Sequence, residues 1–118
     1  MNPKEIEQKL AKMMNEIPEI EGLIAFDTNG KIISGQTLTE TDKKRLGALS
    51  VEVYRKAFEL GAEIDKKDIN TINISTKNGY VIIESSSKFS ILALLGKDAF
   101  ASMSLVVRSL KNIINTGD

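Results

Sequence analysis

Two Asn-Gly pairs, Asn29-Gly30 and Asn78-Gly79, each lie between short apolar runs. No other feature constrains this chain as much. Asn-Gly reverses a chain tightly because both residues tolerate positive φ, so each pair predicts a β-hairpin. Gly22-Leu23-Ile24-Ala25-Phe26 enters the first turn and Lys31-Ile32-Ile33-Ser34 leaves it, so residues 22–35 read as one hairpin. Ile69 to Thr76 enters the second, with Ile72 and Ile74 on one side and Thr71, Asn73 and Ser75 on the other. Tyr80 to Glu84 returns, Ser85-Ser86-Ser87-Lys88 turns again, and Phe89 to Leu95 follows. That last run is almost continuously apolar, which predicts a central strand covered on both faces. All strand connections but one are hairpins, so the five strands predict a mainly antiparallel sheet.

Three helices separate or flank these strands. Asn2-Pro3 with Glu5 has the chemistry of a helix start. Ile6, Leu10, Met13 and Ile17 then repeat at helical spacing until Pro18. Thr39-Glu40-Thr41-Asp42 resembles a capping box, and it predicts a second helix to about Leu60 with Gly61 as its stop. The polar stretch Ala62 to Asp68 reads as a loop. A third helix is predicted from a cap at Asp98 to about Ile114, burying Phe100, Met103, Val107, Leu110 and Ile114. The order is α-β-β-α-β-β-β-α, an α/β (α+β) domain spanning residues 1–118. Helices one and three are expected on one sheet face and helix two on the other.

Composition narrows the chemistry. There is no cysteine and no histidine among the 118 residues, so thiol chemistry and the commonest general base and metal ligand are missing. Sixteen basic and sixteen acidic side chains balance, which argues against a nucleic-acid binder. No apolar run approaches the ~20 residues of a membrane span, and the charged start does not read as a signal peptide. No direct membrane insertion is expected, and the expected compartment is the cytoplasm.

The second helix is the most informative segment. At about 100° per residue, Leu46, Leu49, Val53, Ala57 and Leu60 form one apolar arc, expected to face the sheet. Gly47, Val51, Tyr54 and Phe58 form a second arc. Arg45, Glu52, Arg55, Lys56 and Glu59 occupy the remaining side, with Glu52/Lys56 and Arg55/Glu59 four apart. One stripe suffices to dock a surface helix. The second stripe belongs either to a wide core-facing arc, partly covered by the 62–68 loop, or to a seam with another copy. The strand 69–76 favours the seam. It lacks proline and inward charge, so at a sheet edge it is poorly defended against pairing with its twin.

No motif for catalysis emerges. There is no Gly-x-x-x-x-Gly-Lys-Ser/Thr loop and no Gly-x-Ser-x-Gly elbow. Asp27 reads as a turn former, the Glu63/Asp65/Asp68 cluster as a solvated loop, and Ser85-Ser86-Ser87 as a polar turn. No metal site, cofactor or catalytic residue is expected.

The run Ile20 to Ser34 resembles the opening hairpin of Roadblock (dynein light-chain type) domains. Leu46-Gly47-Ala48-Leu49, Asn78-Gly79-Tyr80-Val81 and Phe89 to Leu95 are similar to later elements of that family. The resemblance covers about Pro3 to Ile114 and implies a profilin-like fold. It also implies a non-catalytic adaptor, homodimeric or paired with a paralogue, that regulates a small Ras-like GTPase. The dimer seam it implies falls on Gly47, Val51, Tyr54 and Phe58, with Ile72, Asn73, Ile74 and Ser75. Arg45, Glu52, Arg55 and Glu59 become the GTPase-facing ridge. Gly96-Lys97-Asp98 is tighter than the family's usual strand-to-helix link, and regulation through a long C-terminal tail, as in some members, is not expected. A competing expectation is a small-molecule sensor of profilin- or PAS-like fold, with Tyr80, Ser90 and Ser102 as its polar groups. A purely structural dimer is the third.

Overall fold

The computed structural model describes residues 2–117. Its elements are α1 (Pro3–Glu16), β1 (Ile20–Asp27), β2 (Ile32–Thr37), α2 (Lys43–Glu63), β3 (Thr71–Thr76), β4 (Gly79–Ser85), β5 (Phe89–Gly96) and α3 (Met103–Gly117). A short 3-10 turn, Phe100–Ser102, leads into α3. All strand pairings are antiparallel, in the order β2-β1-β5-β4-β3. The most apolar strand, β5, is therefore central, and β3 is an edge.

The first hairpin is held by its own aspartate. The Asp27 carboxylate accepts the Asn29 and Lys31 amides at 2.9 and 3.0 Å. Gly30 supplies the positive φ, +86°, while Asn29 does not adopt one. At the other end, Asn2 caps α1 by accepting the Glu5 amide at 2.9 Å, and Pro3 opens the helix.

Side chains divide between two layers. Ile6, Leu10 and Met13 of α1 join Val106, Leu110, Ile113 and Ile114 of α3 over Leu23, Ala25, Ile82, Ile91 and Ala93. The other face is a smaller cluster of Ile24, Phe26, Ile83 and Leu92, met by Leu46 and Val51 of α2. The expected placement of the helices thus holds. The expected buried face of the last helix is shifted: Leu110 and Ile114 are buried, but Val106 is fully buried where Val107 and Met103 are only half-buried. Phe100 sits in the 3-10 turn and is 75% exposed, and Ala99 takes the buried place instead. Gly96 accepts the Ala99 amide, so the chain turns before the helix begins.

Gly61 does not stop α2. The helix runs on to Glu63 and closes with Asp65 at φ 59°. Ala62 accepts the Asp65 amide and Gly61 accepts the Lys66 amide, the paired bonds of a Schellman ending. Gly61 is needed for a different reason. A Cβ there would collide with the Lys66 carbonyl oxygen. Gly61→Ala gains about 1 kcal/mol of helix propensity but must displace backbone. The displacement outweighs the gain, and urea denaturation should show a net loss of about 1–3 kcal/mol.

Candidate protein-protein interface

The edge strand β3 is the first component of the site. Ser85 donates its amide to the Asn70 carbonyl at 2.9 Å, which fixes the phase of the β3–β4 ladder. Backbone groups alternate in an antiparallel pair. Asn70, Ile72, Ile74 and Thr76 therefore turn inward to β4, and Thr71, Asn73 and Ser75 turn their amides and carbonyls to the open edge. Asn73, Ile74 and Ser75 are exposed and Ile72 is half-buried.

A buried ion pair stiffens that edge from behind. Glu84 of β4 is 2% exposed. Its carboxylate accepts the Thr71 hydroxyl of β3 at 2.6 Å and meets Lys111 Nζ of α3 at 3.1 Å. Lys111 also reaches the Thr71 hydroxyl at 3.3 Å. One carboxylate thus ties the edge strand to a helix of the opposite face.

The second component is the part of the sheet that α2 leaves only partly covered. Gly47 rests on the first hairpin turn, and Tyr54 lies beside Thr28 near the Ser85–Ser87 turn. The helix starts over β2, where Lys43 lies on Gly35, and ends where Lys66 and Ile69 approach Gly61. It therefore crosses the sheet obliquely towards the turn end. The row Ile72–Ile83–Leu92–Ile24 belongs to the cluster beneath it. The next row, Ile74–Val81–Leu94, is only partly covered: Val81 and Leu94 pack against the edge of that cluster, and Ile74 is 38% exposed. Val81 and Leu94 are half-buried.

The orientation of α2 overturns part of the sequence reading. Leu49, Val53 and Leu60, expected against the sheet, are 39%, 36% and 69% exposed. Gly47, expected at a seam between copies, is buried inside its own chain. A Cβ on it would sit 2.6 Å from the Gly30 carbonyl oxygen. Val51 is half-buried and packs on the cluster below. Gly47 lets the helix sink onto the hairpin, Leu46 and Val51 pack on the cluster, and Ser50 is buried beside them. The Ser50 hydroxyl is satisfied by the Leu46 carbonyl at 2.7 Å. The helix has thus turned so that its other large aliphatics flank the partly covered row. Tyr54 and Phe58 line a shallow groove with Thr28, Val51 and Arg55 on the opposite flank.

Arg45, Glu52, Arg55 and Glu59 are all exposed on the outer side of α2. The pairing there is Lys56 with Glu59 at 3.3 Å, three apart rather than the four expected. Among the described residues, no group of three or more acidic or histidine side chains could hold a metal ion. No helix of the described residues is long and apolar enough to cross a membrane.

A profile described as the Roadblock/LC7 domain matches residues 6–96 of this sequence. The chain belongs to the Roadblock/LC7 family. Solved structures support the fold of this Roadblock domain. A Roadblock/LC7 domain from Streptomyces avermitilis superposes with a TM-score of 0.82 at 13% identity, covering 93% of this chain and 92% of that one. MglB from Myxococcus xanthus superposes with 0.79 at 12% identity, covering 97% and 90%. The gliding protein mglB from Thermus thermophilus superposes with 0.79 at 10% identity, covering 97% and 92%. One further similar structure is described as MglB with tetrameric arrangement. Among curated proteins, none matches this chain.

Proposed function

We propose that residues 1–118 form a single Roadblock unit acting as a non-catalytic, dimeric adaptor in the cytoplasm. It binds a small Ras-like GTPase and modulates that enzyme's nucleotide cycle or localisation. The observation that carries the dimer is the edge of β3, whose outward amides and carbonyls adjoin the partly covered row Ile74–Val81–Leu94. A second copy satisfies both needs at once, pairing its β3 with this one and laying its α2 beside Leu49 and Val53. The GTPase takes the exposed ridge of Arg45, Glu52, Arg55 and Glu59. Holding switch loops in one arrangement changes nucleotide turnover without any catalytic group on the adaptor. The family match supports this reading, and the open edge and partly covered row support its dimeric form.

Two-fold pairing with both α2 helices on one side restricts the register. Facing residues must point their side chains the same way, so they share parity. All three outward residues, Thr71, Asn73 and Ser75, find partners only when Asn73 faces its own twin. Facing Cα atoms in such a pair are about 5.5 Å apart, within disulfide range. The chain has no native cysteine, so the test is clean. Asn73→Cys should oxidise to a covalent dimer, whereas Thr71→Cys and Ser75→Cys should cross-link only when mixed. An Asn73→Cys protein that resists oxidative cross-linking would remove this register.

Capture of Ras-like GTPases loaded with GDP or GTP tests the partner. Nucleotide-dependent capture that weakens with Arg55→Glu supports the GTPase reading, and absence of capture in both nucleotide states overturns it.

A further inference from the structure

The turn end of the sheet holds a cavity of about 190 Å³ between α2, the first hairpin turn and the Ser85–Ser90 turn. Its base is apolar, formed by Phe26, Val51 and Ile83, and its walls carry hydroxyls, including those of Tyr54, Ser85 and Ser90. Phe26 and Ile83 are each 2% exposed, so the base is continuous with the core.

Ser85 is only 8% exposed, and its hydroxyl oxygen accepts from Ser90 at 2.9 Å. Two hydroxyls carry two protons, and their mutual bond uses one. The pair therefore keeps one further O–H that can donate, and the half-buried Ser90 lines the cavity. The lining sets the charge of what can satisfy it. No lysine or arginine lines the cavity, and its one ionisable group besides the Tyr54 phenol is Asp27. One oxygen of that carboxylate already holds the Asn29 and Lys31 amides. An anion in the cavity would sit beside this carboxylate, with no lysine or arginine among the lining residues.

We propose that this cavity binds a small uncharged molecule with a branched apolar body and one carbonyl or hydroxyl oxygen. The oxygen accepts the spare proton of the Ser85–Ser90 pair, and the apolar body covers Phe26, Val51 and Ile83. At roughly 30 Å³ for each displaced water, the space holds about six waters, which suits a ligand of comparable heavy-atom count. Water over an apolar base makes few hydrogen bonds, so its displacement favours such a ligand. The site lies on the flank of α2 away from Leu49 and Val53, and it does not depend on the dimer or on any GTPase.

Isobutyramide and isobutyrate share a shape and differ in charge, so together they test the site. In an NMR titration of the full chain, isobutyramide should shift the amide resonances of Thr28, Tyr54 and Ser85–Ser90 saturably. Isobutyrate should bind at least about tenfold more weakly, a difference of one lost favourable contact. Ser90→Leu fills the cavity and should abolish the shifts. Should that variant misfold, Ser85→Ala removes the hydroxyl without adding bulk and should weaken binding by roughly tenfold. Absence of saturable shifts in the unmodified protein overturns the proposal. So does equal binding of the carboxylate, or undiminished binding by a folded variant.

Discussion

Replacing Lys111 with methionine should lower the free energy of unfolding by about 3 kcal/mol, the low end for breaking a buried ion pair. Glu84 supplies the reason. Its carboxylate is almost wholly withdrawn from water, and Lys111 Nζ is its one cationic neighbour among the described residues, at 3.1 Å. Methionine preserves the apolar stem of Lys111 against the sheet but leaves the buried charge with only the Thr71 hydroxyl. The low end of the range applies because the Lys111 side chain is 44% exposed, so some water reaches the pair already. Adding Glu84→Gln should recover roughly 1–2 kcal/mol, because an amide still accepts from Thr71 without a charge to bury. Urea denaturation of the two single variants and the double variant measures this coupling. Equal stability of Lys111→Met and the parent would show that the carboxylate is solvated by another route.

The second large effect concerns assembly and rests on the dimer proposed above. Leu49→Asp with Val53→Asp should convert the dimer to a monomer, weakening association by about 3 kcal/mol or more, over a hundredfold. The monomer should keep its fold, since both side chains already stand more than a third exposed. Val51→Asp should behave differently. It forces a carboxylate against Phe26 and Ile83, and the chain itself loses stability, by several kcal/mol. Light scattering reads the mass and a thermal melt reads the fold. A Leu49/Val53 double variant that stays dimeric would move the seam elsewhere.

The hairpins were the legible part of the sequence. Asn29-Gly30 and Asn78-Gly79 marked two of the turns, and the nearly continuous apolar run after Lys88 marked the middle strand. These signals are local, set by the backbone preferences of two or three residues. The facing of α2 is not local. Both of its stripes are apolar, and the rule that the largest aliphatics seek the sheet held for Leu46 but failed for Leu49, Val53 and Leu60. The contact is made by one residue of each stripe, Leu46 and Val51, with Gly47 permitting close approach to Gly30 and Ser50 buried beside it. The spacing of three between Gly47 and Ser50 was the available signal. Glu84 was hidden for a related reason. It follows Tyr80 and Ile82 at alternate positions and so reads as the polar end of a strand. Nothing nearby in the sequence announces its partner Lys111, which is 27 residues away. The alternation in β3 was plain, but its place at the edge depends on the order of all five strands.

The half-satisfied ladder of β3 has a kinetic signature. In a lone subunit, the amides of Ile72 and Ile74 are locked against β4 while those of Thr71, Asn73 and Ser75 face solvent. Deuterium uptake along this segment should therefore alternate between slow and fast from one residue to the next. When the edge is covered, the fast set slows, and its residual uptake reports how often the two copies part.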